Sequence, residues 1–338
     1  MSHRLFNSIC TLGCVITAGL LASAPVVGQA RSSAAKVVTK PWTQPRTTDG
    51  QPDLQGTWTN ATITPFERPG NLAGKQVLTD EEAAALEEQA TQGRVDRPPR
   101  QGDVGNYNQF WFDRGNKVTP TKRTSLVVDP PDGKVPPLTP EAQKRVADRA
   151  AARRGRGPAD GPEDRSLQER CIFWQTAGPP MIPGPYNNNY QIVQGPGYVV
   201  ILSEMIHDAR IIPLDARPHL GPNIRQWMGN SRGHWDGNTL VVDTTDFNGK
   251  ANFRNTSQNL HLIERFTRVD AETILYEFTV DDPATFIKPW TAQIPMTRTD
   301  GPIFEYACNE GNYALTDILA GARAEEKAAV EAAKKDSK

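Results

Sequence analysis

The densest chemistry in the chain is the run Glu204-Met205-Ile206-His207-Asp208-Ala209-Arg210, where an imidazole, two carboxylates and a guanidinium crowd together. Folded as a hairpin on the rim of a sheet, His207 could act as a general base. Glu204 or Asp208 would then orient it, and Arg210 would meet developing negative charge. A plainer reading of the same residues puts Asp208 in a turn position and pairs Arg210 with Glu204 across the hairpin.

Other side chains could hold a ligand. Asn188 and Tyr190 follow the Pro/Gly-rich run Gly178 to Pro185, and side-chain amides there could bind a carbonyl or hydroxyl, although asparagine clusters also form turns. Arg225 and Trp227 stand two apart, so in a strand they share a face that suits an anionic or aromatic ligand, or ordinary packing. His261 and Arg265 likewise share a face, turned either into an apolar cavity or out to solvent. His261 and Glu264, three apart, fall on opposite faces of a strand, which disfavours a shared metal.

Composition narrows the partners. Lys+Arg number 38 and Asp+Glu 39, so no long-range field points to nucleic acid or anionic lipid. The first residues read as a secretory signal: a small basic start at His3-Arg4, an apolar stretch from Leu5 to Val27, and Gly28-Gln29-Ala30 as the cleavage site. Residues 1–30 are therefore expected to be removed, leaving no stable membrane insertion, and the mature chain is expected in the periplasm or outside the cell. Cys10 and Cys14 leave with the signal. Cys171 and Cys308 remain, and in an oxidising compartment they most simply form one disulfide. They are too few for a structural zinc site.

Motifs for phosphate cradling, zincin, α/β-hydrolase and c-type haem chemistry are absent from the sequence. The expectation is chemistry done by side chains, with no cofactor or metal, on a small-molecule substrate or ligand.

The elements that must position these residues are mostly strands. Residues 31–50 read as an extended lead-in and 51–319 as one β-rich domain, with an insertion of short helices and loops over about 78–166 and a charged helical tail from Ala320 to Lys338. Thr79 with Glu82 marks one helix start, and Thr139 with Pro140 another. From Tyr190 onward, short apolar runs alternate with turn signals. Candidate strands are Tyr190–Gln194, Tyr198–Met205, Arg210–Leu214, Ile224–Trp227, Thr239–Thr244, His261–Val269, Thr273–Val280, Ala292–Thr297 and Ile303–Ala307. Such spacing predicts a mainly β fold, an antiparallel up-and-down meander closed as a barrel or folded as a sandwich.

Gly56-Thr57-Trp58 ahead of the meander resembles the G-x-W start of lipocalin and related calycin barrels. Longer segments, Arg123 to Gly133, Met205 to Arg210, Trp235 to Thr244 and Glu305 to Cys308, resemble a large family of exported, functionally uncharacterised bacterial β-rich proteins. The resemblance implies an exported β-rich protein and supplies no reaction. Two functions stay open: a cofactor-independent lyase, hydratase or isomerase acting on a small, partly apolar molecule, and a lipocalin-like carrier of a hydrophobic ligand.

Overall fold

Strict alternation of buried and part-exposed residues runs through two long strands, His261–Arg268 and Thr273–Asp281, and it sets the architecture. The computed structural model describes residues 42–93, 109, 112–250 and 253–336; the predicted signal and most of the lead-in lie outside them. Ten strands are present among these residues: β1 (Gly56–Thr59), β2 (Val127–Asp129), β3 (Asn189–Gly195), β4 (Tyr198–Ser203), β5 (Ala209–Pro213), β6 (Asn230–Asp236), β7 (Thr239–Thr245), β8 (His261–Arg268), β9 (Thr273–Asp281) and β10 (Trp290–Arg298). All pair antiparallel in the order β5-β4-β3-β1-β10-β9-β8-β7-β6, with β2 added beside β10.

The two ends of this sheet, β5 and β6, come together and almost close a barrel. No backbone ladder joins them among the described residues; side chains do. Arg210 on β5 donates from Nη2 to Ser231 Oγ on β6 at 3.3 Å. Gly233 lets the strands approach, because a Cβ there would sit 2.7 Å from Leu214 Cδ2 and 2.8 Å from Ile212 Cγ2. The barrel reading of the sequence holds, with one open seam.

Side chains fill the interior. Trp58, Tyr190, Phe266, Tyr276, Phe278 and Trp290 are buried inside it, with the rings of Phe266 and Tyr276 4.9 Å apart. Met181, which ends the buried turn from Ala177, packs into the same core, and its N–H donates to Tyr276 Oη at 3.0 Å. Trp58 donates from Nε1 to the Leu54 carbonyl at 3.0 Å, with the Arg268 guanidinium over its ring.

Between the neighbouring strands β1 and β3 the chain makes one excursion, from Asn60 to Asn188, wider than the predicted insertion. It carries the helices α1 (Asp80–Gln92) and α2 (Pro140–Ala152). Thr79 and Glu82 form the full capping box on α1, and Thr139 Oγ1 accepts from the Ala142 N–H on α2 at 3.1 Å. Each cap is worth about 1 kcal/mol.

Three expectations need correction. Ile224–Trp227 is not a strand: Gly221 and Gly229, both at positive φ, bracket it with turns, and only Gln226 makes a single bridge, to Phe247. The strand lies further on, at β6, where Ser231 and Gly233 face the seam and leave no apolar alternation to read. Ile303–Ala307 is not a strand either; it runs as irregular chain, with the Phe304 N–H given to the Glu204 carboxylate instead of a ladder. The tail helix α3 spans Tyr313–Asp336 and so begins seven residues before Ala320 (320 − 313); the nearest helix breaker upstream is Gly311.

Cys171 and Cys308 are bonded, closing a sequence separation of 137 residues. Loops of that size constrain the unfolded chain strongly. Replacing Cys308 with Ser is expected to lower stability by about 2–4 kcal/mol, read as a drop in the urea midpoint that reductant reproduces in the wild type and does not add to in the variant.

Candidate functional site

Leu262, Glu264, Phe266 and Arg268 share the buried face of β8, so Glu264 is a carboxylate placed where apolar side chains belong. It is wholly buried, and its partner comes from across the barrel. Arg210 reaches it in a two-pronged contact, Nη2 to Oε2 at 2.5 Å and Nη1 to Oε1 at 3.0 Å. Tyr276 Oη also donates to Glu264 Oε1 at 2.8 Å, while Ser231 Oγ links Arg210 to Thr244 Oγ1.

Burial works against the charge on Arg210, but the Glu264 carboxylate outweighs it and holds the guanidinium more firmly protonated than usual. Burial, reinforced by Glu264, pushes the Tyr276 phenol far up. The Tyr276 hydroxyl therefore stays a donor. Arg210 pairs with Glu264 and not with Glu204, so the local hairpin pairing read from the sequence is replaced by one across the barrel. The sequence reading missed Glu264 as a partner. A lone charge on the apolar face of an alternating strand was the signal available.

Above this pair the open seam widens into a cleft of about 450 Å³. Asp208, Arg210 and Ile211 line one side, Arg225, Trp227 and Ser231 the other. Arg225 reaches it from a turn, anchored by Nη1 to the carbonyls of Phe247 at 3.1 Å and Gln258 at 2.6 Å. Partial burial raises the Asp208 carboxyl above its ordinary value, and the nearby His207 charge offsets only part of that rise. Arg210 Nε is buried and has no hydrogen-bond partner among the described residues.

Four residues singled out in the sequence thus meet in one place, Asp208, Arg210, Arg225 and Trp227. The others do not. His207 is exposed outside the cleft, with Nδ1 2.9 Å from the Tyr306 carbonyl. Glu204 accepts from Asn189 Nδ2 at 2.6 Å and from the Phe304 N–H at 3.0 Å, a structural clamp. Asn188 ties its amide to the backbone of Asp113 and Gly184. Tyr190 lies in the core and donates to the Thr176 carbonyl at 2.9 Å.

His261 and Arg265 share the outward face of β8. There Arg265 pairs with Asp236 at 2.8 Å, and His261 Nε2 lies 2.5 Å from Asp243 Oδ2. His219 Nε2 approaches the other Asp243 oxygen at 2.9 Å, and its Nδ1 faces Asn230. His219 pins the segment that carries Arg225 and Trp227 onto the outside of the sheet. Among the described residues no group of three or more His, Cys, Asp or Glu is arranged to hold a metal ion.

Fold and cleft define an antiparallel barrel with one unladdered seam and a polar, partly apolar cleft set over a buried ion pair. No protein-family model, curated protein or solved structure matches the chain, so the chemistry of this cleft rests on its geometry.

Two outcomes follow. Glu264→Gln leaves Arg210 buried without its counter-ion and should cost about 3–5 kcal/mol, whereas Arg210→Met with Glu264→Leu should recover most of it; urea unfolding of the three proteins measures both. Asp208 has a folded-state pKa above its unfolded value, so its ionisation costs stability progressively as pH rises from the unfolded to the folded value, and the full cost stands above the folded value. Asp208→Asn is therefore expected to be more stable than the wild type at neutral pH, with the gap closing by about pH 3 as the carboxyl becomes protonated in both states.

Proposed function

We propose that this chain is an exported protein, periplasmic or secreted, that acts at the seam cleft on a small, partly apolar carboxylate by side-chain acid/base chemistry of the lyase, hydratase or isomerase type. The observation that carries the reading is the convergence of Asp208, whose carboxyl is raised by burial, with Arg225 and Trp227 in one cleft. A disulfide suits an oxidising compartment.

In this reading Arg225 takes the substrate carboxylate, and its two backbone anchors fix the plane of the guanidinium. Trp227 and Ile211 cover the apolar part. Asp208, with its pKa moved toward neutrality, accepts a proton from the carbon next to the carboxylate and returns it either to another carbon or to a departing hydroxyl. With a β,γ-unsaturated substrate the first outcome shifts the double bond into conjugation with the carboxylate; with a β-hydroxy substrate the second breaks the C–O bond, releases water and leaves an α,β double bond.

The base is Asp208 and not His207, whose Nδ1 is engaged by Tyr306 outside the cleft. Arg210 lines the cleft but is committed to Glu264, so its part is to shape the floor. The carrier reading draws no support from the barrel interior, where a lipocalin-like ligand would sit: Trp58, Tyr190, Phe266, Tyr276, Phe278 and Met181 fill that space.

Ligand-observed NMR against a panel of small aryl and alkyl carboxylates, followed in D₂O, tests the proposal. Deuterium should enter the carbon beside the carboxylate of a bound compound, and Asp208→Asn should slow that exchange by about 10²-fold or more. Exchange that persists in Asp208→Asn, or a panel in which nothing binds, overturns it. Tight binding of an uncharged apolar compound that is unaffected by Arg225→Gln would favour the carrier.

A further inference from the structure

A second cavity, of about 510 Å³, opens beside the disulfide and is separate from the seam cleft. Three aromatic rings wall it: Trp174, Tyr186 and Tyr306. Trp174 stands between the others, 5.7 Å from Tyr186 at an interplanar angle of 60° and 6.2 Å from Tyr306 at 75°. Rings set at such angles form corners, not a stack. All three pack on a small core made by Ala177, Met205 and Ile206, and Tyr186 also meets the Phe112 ring at 6.4 Å, yet each remains part-exposed at the cavity.

The charge around the cavity has one sign. Glu169 and Glu305 line it, and no lysine or arginine does among the described residues. Arg165 neutralises Glu169 from outside, so Glu305, exposed beside Tyr306, supplies the effective negative charge. Aromatic faces are themselves electron-rich, and a carboxylate beside them strengthens attraction for a cation.

The walls are also held in place before any ligand arrives. Tyr306 lies two residues before Cys308 and Trp174 three after Cys171, so the disulfide ties together the two segments that carry these rings. The imidazole of His207 holds the Tyr306 carbonyl at 2.9 Å. Rings fixed in advance lose little entropy on binding.

From these observations we infer that the cavity is a binding site for a small organic cation of the methylated-ammonium class. Such a group is weakly hydrated, fits a pocket of this volume, and presents methyl groups to ring faces, whereas an anion would meet Glu305.

Isothermal titration of the full-length protein with choline chloride and, separately, with 3,3-dimethylbutan-1-ol tests this, because the alcohol has the same shape without the charge. Choline should bind saturably and the alcohol at least about 10-fold more weakly; Tyr306→Leu should weaken choline by about 3- to 30-fold and Glu305→Gln by about 3- to 10-fold. Glu305 is exposed, so its variant is expected to keep the wild-type urea midpoint and to read the charge alone. Equal affinity for the alcohol, no saturable heat from choline, or unchanged choline binding in Glu305→Gln would overturn the inference.

Discussion

Arg210 on β5 and Glu264 on β8 meet inside the barrel from the two sides of the seam, and neither can be buried without the other. A guanidinium or carboxylate taken out of water alone costs several kcal/mol, and the paired state regains that only when the hydrogen bonds are well made. Here the bonds are two-pronged, with Tyr276 adding a third donor to the same carboxylate. The pair does what a backbone ladder would otherwise do, since it draws β5 toward the rest of the barrel where the sheet has no hydrogen bonds across the seam. The pair therefore serves chiefly to fix geometry, and the stability it adds is secondary.

This way of closing the barrel explains where the cleft lies. At the Gly233 end the strands touch closely enough that no side chain fits between them. Towards Arg210 and Ser231 they are held by long side chains instead, and the gap admits Arg225 and Trp227 from the loop outside. His219, through Asp243 and Asn230, holds that loop against the outer face. The cleft is thus framed by three independent supports, one inside the barrel, one in the seam and one on its surface.

Much of the fold was legible in the sequence because period-two alternation survives wherever one face packs on the core, as in Ile274, Tyr276, Phe278 and Val280. It failed where the inward residues are not apolar. β6 presents Ser231 and Gly233 inward, so it carried no pattern, while Ile224–Trp227 carried one by chance between two turn glycines. The site was legible in part: Asp208, Arg210, Arg225 and Trp227 were singled out, although the last two were placed on a strand. The sequence groups His207 with Glu204, Asp208 and Arg210, but the direction of its ring is set by a contact distant in sequence, the Tyr306 carbonyl. Glu264 was overlooked as the partner of Arg210 because 54 residues separate them.

The position of β1 has a consequence for how the chain reaches this structure. Its two hydrogen-bonded neighbours are β3, which starts at Asn189, and β10, which starts at Trp290. As the polypeptide is synthesised, Trp58 therefore emerges long before either strand that will bury it. The later strands, β6 to β9, are joined by successive pairings of low sequence separation and can assemble first. Closure around Trp58 is a late event with a high entropic cost, and until it occurs an indole and the open edges beside it stand exposed to any other chain in the same condition.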